Sequence, residues 1–118
     1  MIDADEASEA RVSREALLAK LRVVAAERAD RARAALDGNA TEGEREVHTL
    51  KGEAQLLGRP RLAAVAGGIE RLFGRVGERP ELSELIAEGL DLVRTLAEAD
   101  EADGVDDFVA RTEAALRA

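Results

Sequence analysis

Apolar residues along this chain recur at every third or fourth position, the period of helices packed on one side. From about Ser13, a candidate N-cap, Leu17, Leu18, Leu21, Val24, Ala25, Ala29, Ala32 and Leu36 keep that spacing until Asp37-Gly38-Asn39 interrupts it. The pattern predicts a first helix closed at Gly38 by a glycine in the left-handed conformation. Thr41 followed by Glu44 has the form of a capping box and opens a second helix, with Val47, Leu50, Ala54 and Leu57 turned inward. Gly58 and Pro60 break that rod. Leu62, Val65, Ala66, Ile69, Leu72, Phe73 and Val76 then mark a third helix ending near Gly77. Pro80 stands at the start of a fourth, roughly Glu81 to Ala99, which buries Leu82, Leu85, Ile86, Gly89, Val93 and Leu96. An acidic break around Gly104 separates it from Val105, Phe108, Val109, Thr112 and Leu116, a short fifth helix.

Helices joined by such short connections pack antiparallel. The expected fold is all-α: an antiparallel up-and-down four-helix bundle with a short fifth C-terminal helix. Residues 1–12, carrying Asp3, Asp5, Glu6 and Glu9, read as an acidic lead-in or helix extension, and residues 13–118 as a single domain. Composition agrees, because Ala, Leu, Glu and Arg dominate and aromatics make up only 2%. A chain of 118 residues can bury one core but cannot also hold a nucleotide-binding kinase domain.

Charge and residue usage then remove function classes. A formal charge of −8, with no basic stripe, argues against a nucleic-acid partner, whose phosphates need clustered cations. No apolar run approaches the roughly 20 residues that cross a bilayer, and the acidic start is unlike a signal peptide, so a cytoplasmic protein without membrane insertion is expected. The chain has no cysteine and one histidine, which leaves no thiolate nucleophile and makes a transition-metal site improbable. Acidic groups such as Glu98, Asp100 and Glu101, or Asp106 and Asp107, lack the loop spacing of a calcium site and read as solvated charge. Neither a metal nor a cofactor is expected.

The lone histidine, His48, lies in the run Val47-His48-Thr49-Leu50-Lys51-Gly52-Glu53-Ala54-Gln55-Leu56-Leu57-Gly58. At about 100° per residue, Glu44, His48, Lys51, Gly52, Gln55 and Arg59 fall opposite the apolar stripe, so the imidazole faces water. A neutral imidazole keeps one ring nitrogen with a lone pair able to attack phosphorus. Lys51, one turn on, offers a point charge suited to phosphate. Gly52 lowers helix propensity by about 1 kcal/mol relative to alanine and opens an approach for a bulky partner. Taken alone, such a histidine is ordinarily one solvated surface residue among many.

The run His48-Thr49-Leu50-Lys51-Gly52, followed by Gly58, resembles the signature of histidine-containing phosphotransfer domains. In that family a histidine on the second helix of a four-helix bundle carries a phosphoryl group. With Glu53-Ala54 after the glycine, it is most similar to the N-terminal phosphotransfer domain of chemotaxis-type histidine kinases, the CheA class, and their gliding-motility relatives of the FrzE class. The resemblance covers roughly Leu17 to Leu96. It implies that Glu70, 22 residues after His48 (70 − 48), accepts a hydrogen bond from the ring and selects its tautomer. Chemistry agrees with that role, since a carboxylate on one ring nitrogen leaves the other as nucleophile. Where the family often carries a second histidine, this chain has Gly67.

Beside Glu70 lie the small residues Ala63, Gly67 and Gly74, which either let two helices approach closely or leave a landing area for a partner. The resulting expectation is a phosphoryl carrier and not an enzyme by itself. His48 is the phosphoacceptor, Lys51 the charge-stabilising cation, Glu70 the orienting carboxylate, and Gly52, Gln55 and Arg59 the docking face. The implied partners are a kinase ATP-binding domain, on the same chain, a dimer partner or a separate protein, and a response-regulator receiver domain. A stand-alone relay protein and an unphosphorylated helical interaction module are the competing expectations.

Overall fold

Strong helix formers and two prolines, each at the start of an element, produce a chain whose described elements are all helices. The computed structural model describes the backbone of residues 4–118 and the side chains from residue 13 onward. It contains α1 (Ala4–Ala35), α2 (Ala40–Leu56), α3 (Pro60–Val76), α4 (Ser83–Ala99) and α5 (Val105–Arg117), with a 3₁₀ turn, Pro80–Leu82, leading into α4. There is no strand among the described residues. α1 and α3 each pack against both α2 and α4, closing a four-helix ring, while α5 leans on α3 and α4. The architecture is the expected bundle with a short fifth helix.

α3 is the spine. Leu62, Val65, Ala66, Ile69, Leu72 and Phe73 are all buried, and they meet Val47, Leu50 and Ala54 of α2 and Ile86, Leu90, Val93 and Leu96 of α4. α1 contributes mainly small residues, Ala25, Ala29 and Ala32 beside Leu21, which bring its backbone close to its neighbours. Two glycines make the tight crossings. A Cβ on Gly43 would fall 2.5 Å from the Phe73 ring, and one on Gly89 would fall 2.6 Å from Phe108 and 2.7 Å from Ile69. Gly43, which the apolar pattern did not single out, seats α2 on α3, and Gly89 lets α4 accept Phe108 of α5.

Several boundaries differ from the pattern-based expectation, each for a local reason. α1 starts at Ala4, so Ser13 lies inside the helix and is not its cap. At 32 residues it is about 48 Å long, against about 26 Å for the 17-residue α2, α3 and α4. Its N-terminal turns therefore extend past its neighbours; Leu17, expected inside, is 51% exposed near the end of α2, and Leu18 and Val24 are only half-buried. α1 ends at Ala35, and Gly38, at φ 158°, is nearly extended and not left-handed. The Asn39 amide reaches back to the Ala35 carbonyl at 2.8 Å to close the turn.

The cap of α2 is Asn39, not Thr41. Its side-chain oxygen accepts from the Glu42 amide at 3.3 Å, and its Nδ2 donates to Glu42 Oε2 at 2.9 Å, so the reciprocal pair sits two residues earlier than Thr41 and Glu44. Gly58, at φ +68°, terminates α2 and leaves Leu57 half-buried just beyond it. Asp100 is also not merely solvated. It adopts a left-handed φ of 55° at the end of α4, and its carboxylate accepts from the backbone amides of Leu62 at 2.8 Å and Arg61 at 3.2 Å. Those are two of the unpaired donors at the start of α3, where Arg59 supplies no side-chain cap. A residue 38 positions away does it instead.

Candidate functional site

The orientation of His48 follows from its neighbours in sequence. Val47 and Leu50 are fully buried between α2 and the rest of the bundle, so the residues between them must project outward. The His48 side chain is 67% exposed. On α3, Ile69, Leu72 and Phe73 are likewise buried, which rotates Glu70 to the edge of the seam with α2. The two residues meet there. His48 Nδ1 lies 2.8 Å from Glu70 Oε2 and 3.2 Å from Oε1. Because a carboxylate only accepts, Nδ1 carries the proton and donates, and the lone pair resides on Nε2.

Lys51 joins the same carboxylate, its Nζ donating to Glu70 at 3.3 Å. Its aliphatic stem crosses α3 above Gly67, where an added Cβ would touch Lys51 Cδ at 3.4 Å. Glu70 is thus half-buried and takes donors from two positions on α2. Partial burial alone would raise its carboxyl pKa, but the hydrogen bonds from His48 and Lys51, with the Lys51 charge, outweigh burial and hold it below its ordinary value of 4.5. The carboxylate is therefore a stable anion at neutral pH. It can hold Nδ1–H and balance positive charge that grows on the ring when Nε2 becomes bonded to phosphorus.

The small residues near Glu70 divide. Gly67 lies beneath Lys51, and Gly68 makes room for Phe108 and Thr112 of α5 at 3.5 Å, so both serve packing. Gly74 has nothing within 4 Å and opens to solvent. Gly52 is also open, with no atom within 4 Å of an added Cβ, and Gln55 is exposed. Arg59 falls elsewhere. Since α2 stops at Leu56, Arg59 occupies the turn before α3, half-buried, and does not share the His48 face that an unbroken helix would have given it.

Beside the imidazole lies a recess of about 460 Å³ walled by Thr41, Glu44, Arg45, His48 and Glu70. Sequence reasoning had not singled out Arg45, although its place three residues before His48 on one helix was a usable signal. Among the described residues no group of three or more His, Asp or Glu side chains is arranged to hold a metal ion, and no helix is long and apolar enough to cross a membrane.

The family model for the Hpt domain matches residues 16–115 of this chain. The protein belongs to the Hpt-domain family. No curated protein and no solved structure matched it. Membership assigns it a role in histidine phosphotransfer within a two-component phosphorelay, as a phosphoryl carrier and not a catalyst, between kinases and response-regulator receivers.

Proposed function

We propose that His48 is the phosphoacceptor of this domain and that Nε2 is the atom that bonds to phosphorus. The observation that carries this reading is the 2.8 Å contact between His48 Nδ1 and Glu70, which commits one ring nitrogen and leaves the other as nucleophile. In loading, the Nε2 lone pair attacks the γ-phosphorus of ATP held by a kinase domain, the bond to the bridging oxygen breaks, and ADP leaves with that electron pair. Nδ1 keeps its proton against Glu70 throughout. In unloading, a receiver aspartate oxygen attacks the same phosphorus and the N–P electrons return to Nε2. Lys51 keeps Glu70 paired and adds positive charge beside the transferred group. The exposed surface around Gly52 and Gln55 gives the receiver room to approach.

The motif around His48 supports a finer setting, the N-terminal segment of a CheA- or FrzE-type kinase whose ATP-binding domain loads it on the same chain or its dimer partner. The test is incubation with such a kinase domain and labelled ATP, then with receiver domains. Label that is acid-labile and alkali-stable, moves to a receiver and vanishes in His48→Gln is expected. Label persisting in His48→Gln would overturn the assignment, and wild-type chain that takes no label from kinases of this class would favour an unphosphorylated interaction module.

A further inference from the structure

The Nδ1 edge of the His48 ring is already committed. On the Nδ1 side Glu70 is bound by the ring and by Lys51, so that anion and that cation already answer each other at 2.8 and 3.3 Å. Lys51 takes no part in the recess beside the imidazole. Among the described residues the one cationic group in that wall is Arg45. Spaced three residues apart on α2, Arg45 and His48 share a helix face.

Two of the carboxylates near Arg45 have other partners. Glu42 is held by Asn39 Nδ2 at 2.9 Å, and Glu46 by Arg28 at 3.1 Å and Arg31 at 3.0 Å. Arg45 itself is exposed and forms no salt bridge among the described residues. Glu44 adds the opposite charge. Four residues before His48, it brings an acceptor-only group into the same recess. The same wall thus holds two carboxylates that would repel a phosphoryl dianion, Glu44 and Glu70, and one guanidinium whose planar donors fit phosphate oxygens in pairs.

Resting on the reading of His48 as phosphoacceptor, we infer that Arg45 is the phosphoryl-binding residue of the site, and that Lys51 acts mainly through Glu70. Arg45 meets the oxygens of the incoming group, offsets Glu44 and stabilises the phosphorylated product. The two cations of α2 divide the work, one on Glu70 and one on the phosphoryl group.

A kinase-free measurement isolates this role. Potassium phosphoramidate phosphorylates histidine directly: the Nε2 lone pair forms the N–P bond, the reagent's own P–N bond breaks, and ammonia departs with those electrons. We expect wild-type chain to take phosphate on His48, Arg45→Ala to do so about tenfold more slowly, and Arg45→Lys to retain most of the rate. Phosphorus NMR of the phosphorylated chain should show the phosphoryl ionisation moved upward in pH by Arg45→Ala, a change that loss of helix stability would not produce. Glu44→Gln should move it the other way. An unchanged rate and unchanged phosphorus titration in Arg45→Ala, with His48 still phosphorylated, would overturn the role of Arg45 alone. Absence of phosphate on His48 in the wild-type chain, or equal incorporation in His48→Gln, would overturn the phosphoacceptor reading and this inference with it.

Discussion

α2 is fastened to the bundle along two polar seams of similar composition and different capacity. Toward α1, Arg28 donates to Glu53 at 2.7 Å and to Glu46 at 3.1 Å, and Arg31 donates to Glu46 at 3.0 Å. Toward α3, Glu70 receives His48 and Lys51. The first seam is built only from groups that hold fixed charge at neutral pH, so it can clamp and nothing more. The second joins one carboxylate to an ammonium and an imidazole, and the imidazole donates on one nitrogen while the other keeps a lone pair. The imidazole separates a structural fastening from a site able to form a bond.

The contrast is tested hardest at its reactive end. Glu70→Gln keeps the shape of the carboxylate but removes its charge and its preference for Nδ1–H. Phosphoryl loading of His48 should fall about 10- to 100-fold, with nitrogen NMR showing a mixed tautomer where the wild type shows Nδ1–H. An unchanged rate would reduce Glu70 to a structural carboxylate like Glu46.

The next effect is mechanical. Gly43→Ala drives a methyl into the Phe73 ring across the α2–α3 seam, where a Cβ 2.5 Å from the ring cannot be accommodated without movement of one helix or the other. A loss of about 1–3 kcal/mol in urea unfolding is expected, together with slower loading as Glu70 shifts from His48. Gly52→Ala, on open surface of the same helix, should instead raise stability by up to about 1 kcal/mol. Equal responses at the two glycines would show that the seam is looser than its geometry.

On the other seam, Arg28→Ala strands the partly buried Glu53, leaves Glu46 with Arg31 alone, and should cost about 1–2 kcal/mol while leaving the loading rate within about twofold. A large loss of loading there would mean that the two seams act as one.

The weakest response is to pH. Burial alone would raise the Glu46 carboxyl, but hydrogen bonds from Arg31 and Arg28 outweigh it, so Glu46, like Glu70, lies below its ordinary value of 4.5. A depressed folded pKa means stability that is present above the ordinary carboxylate range and lost as pH falls through the folded value. The urea midpoint should therefore drop between about pH 5 and pH 3, and drop less in Glu46→Gln.

Most of the bundle was legible because burial imposes a period on the chain. The inward residues of α3 could be read directly, since a helix covered by α2, α4 and α5 leaves little choice about which side is apolar. α1 was harder. Its inner face is largely alanine, a residue that also suits solvent-exposed helix, and where its neighbours end depends on their lengths and not on its own pattern. The caps were misplaced because Thr41 and Asn39 are both good caps, and only the turn geometry chooses between them.

For the site, helical period alone was enough to say which side of α2 carries His48, because Val47 and Leu50 must be buried, and to put Lys51 one turn beyond. Family resemblance pointed to Glu70. It took the packing of one helix on another to bring Lys51 to that carboxylate, carry Asp100 from the end of α4 to cap α3, and set Arg45 in the wall of the recess. The difference is one of range. Periodicity reports how each residue stands relative to its own helix axis, whereas distances between helices are set by close packing of side chains, here by Gly43 against Phe73 and Gly89 against Phe108.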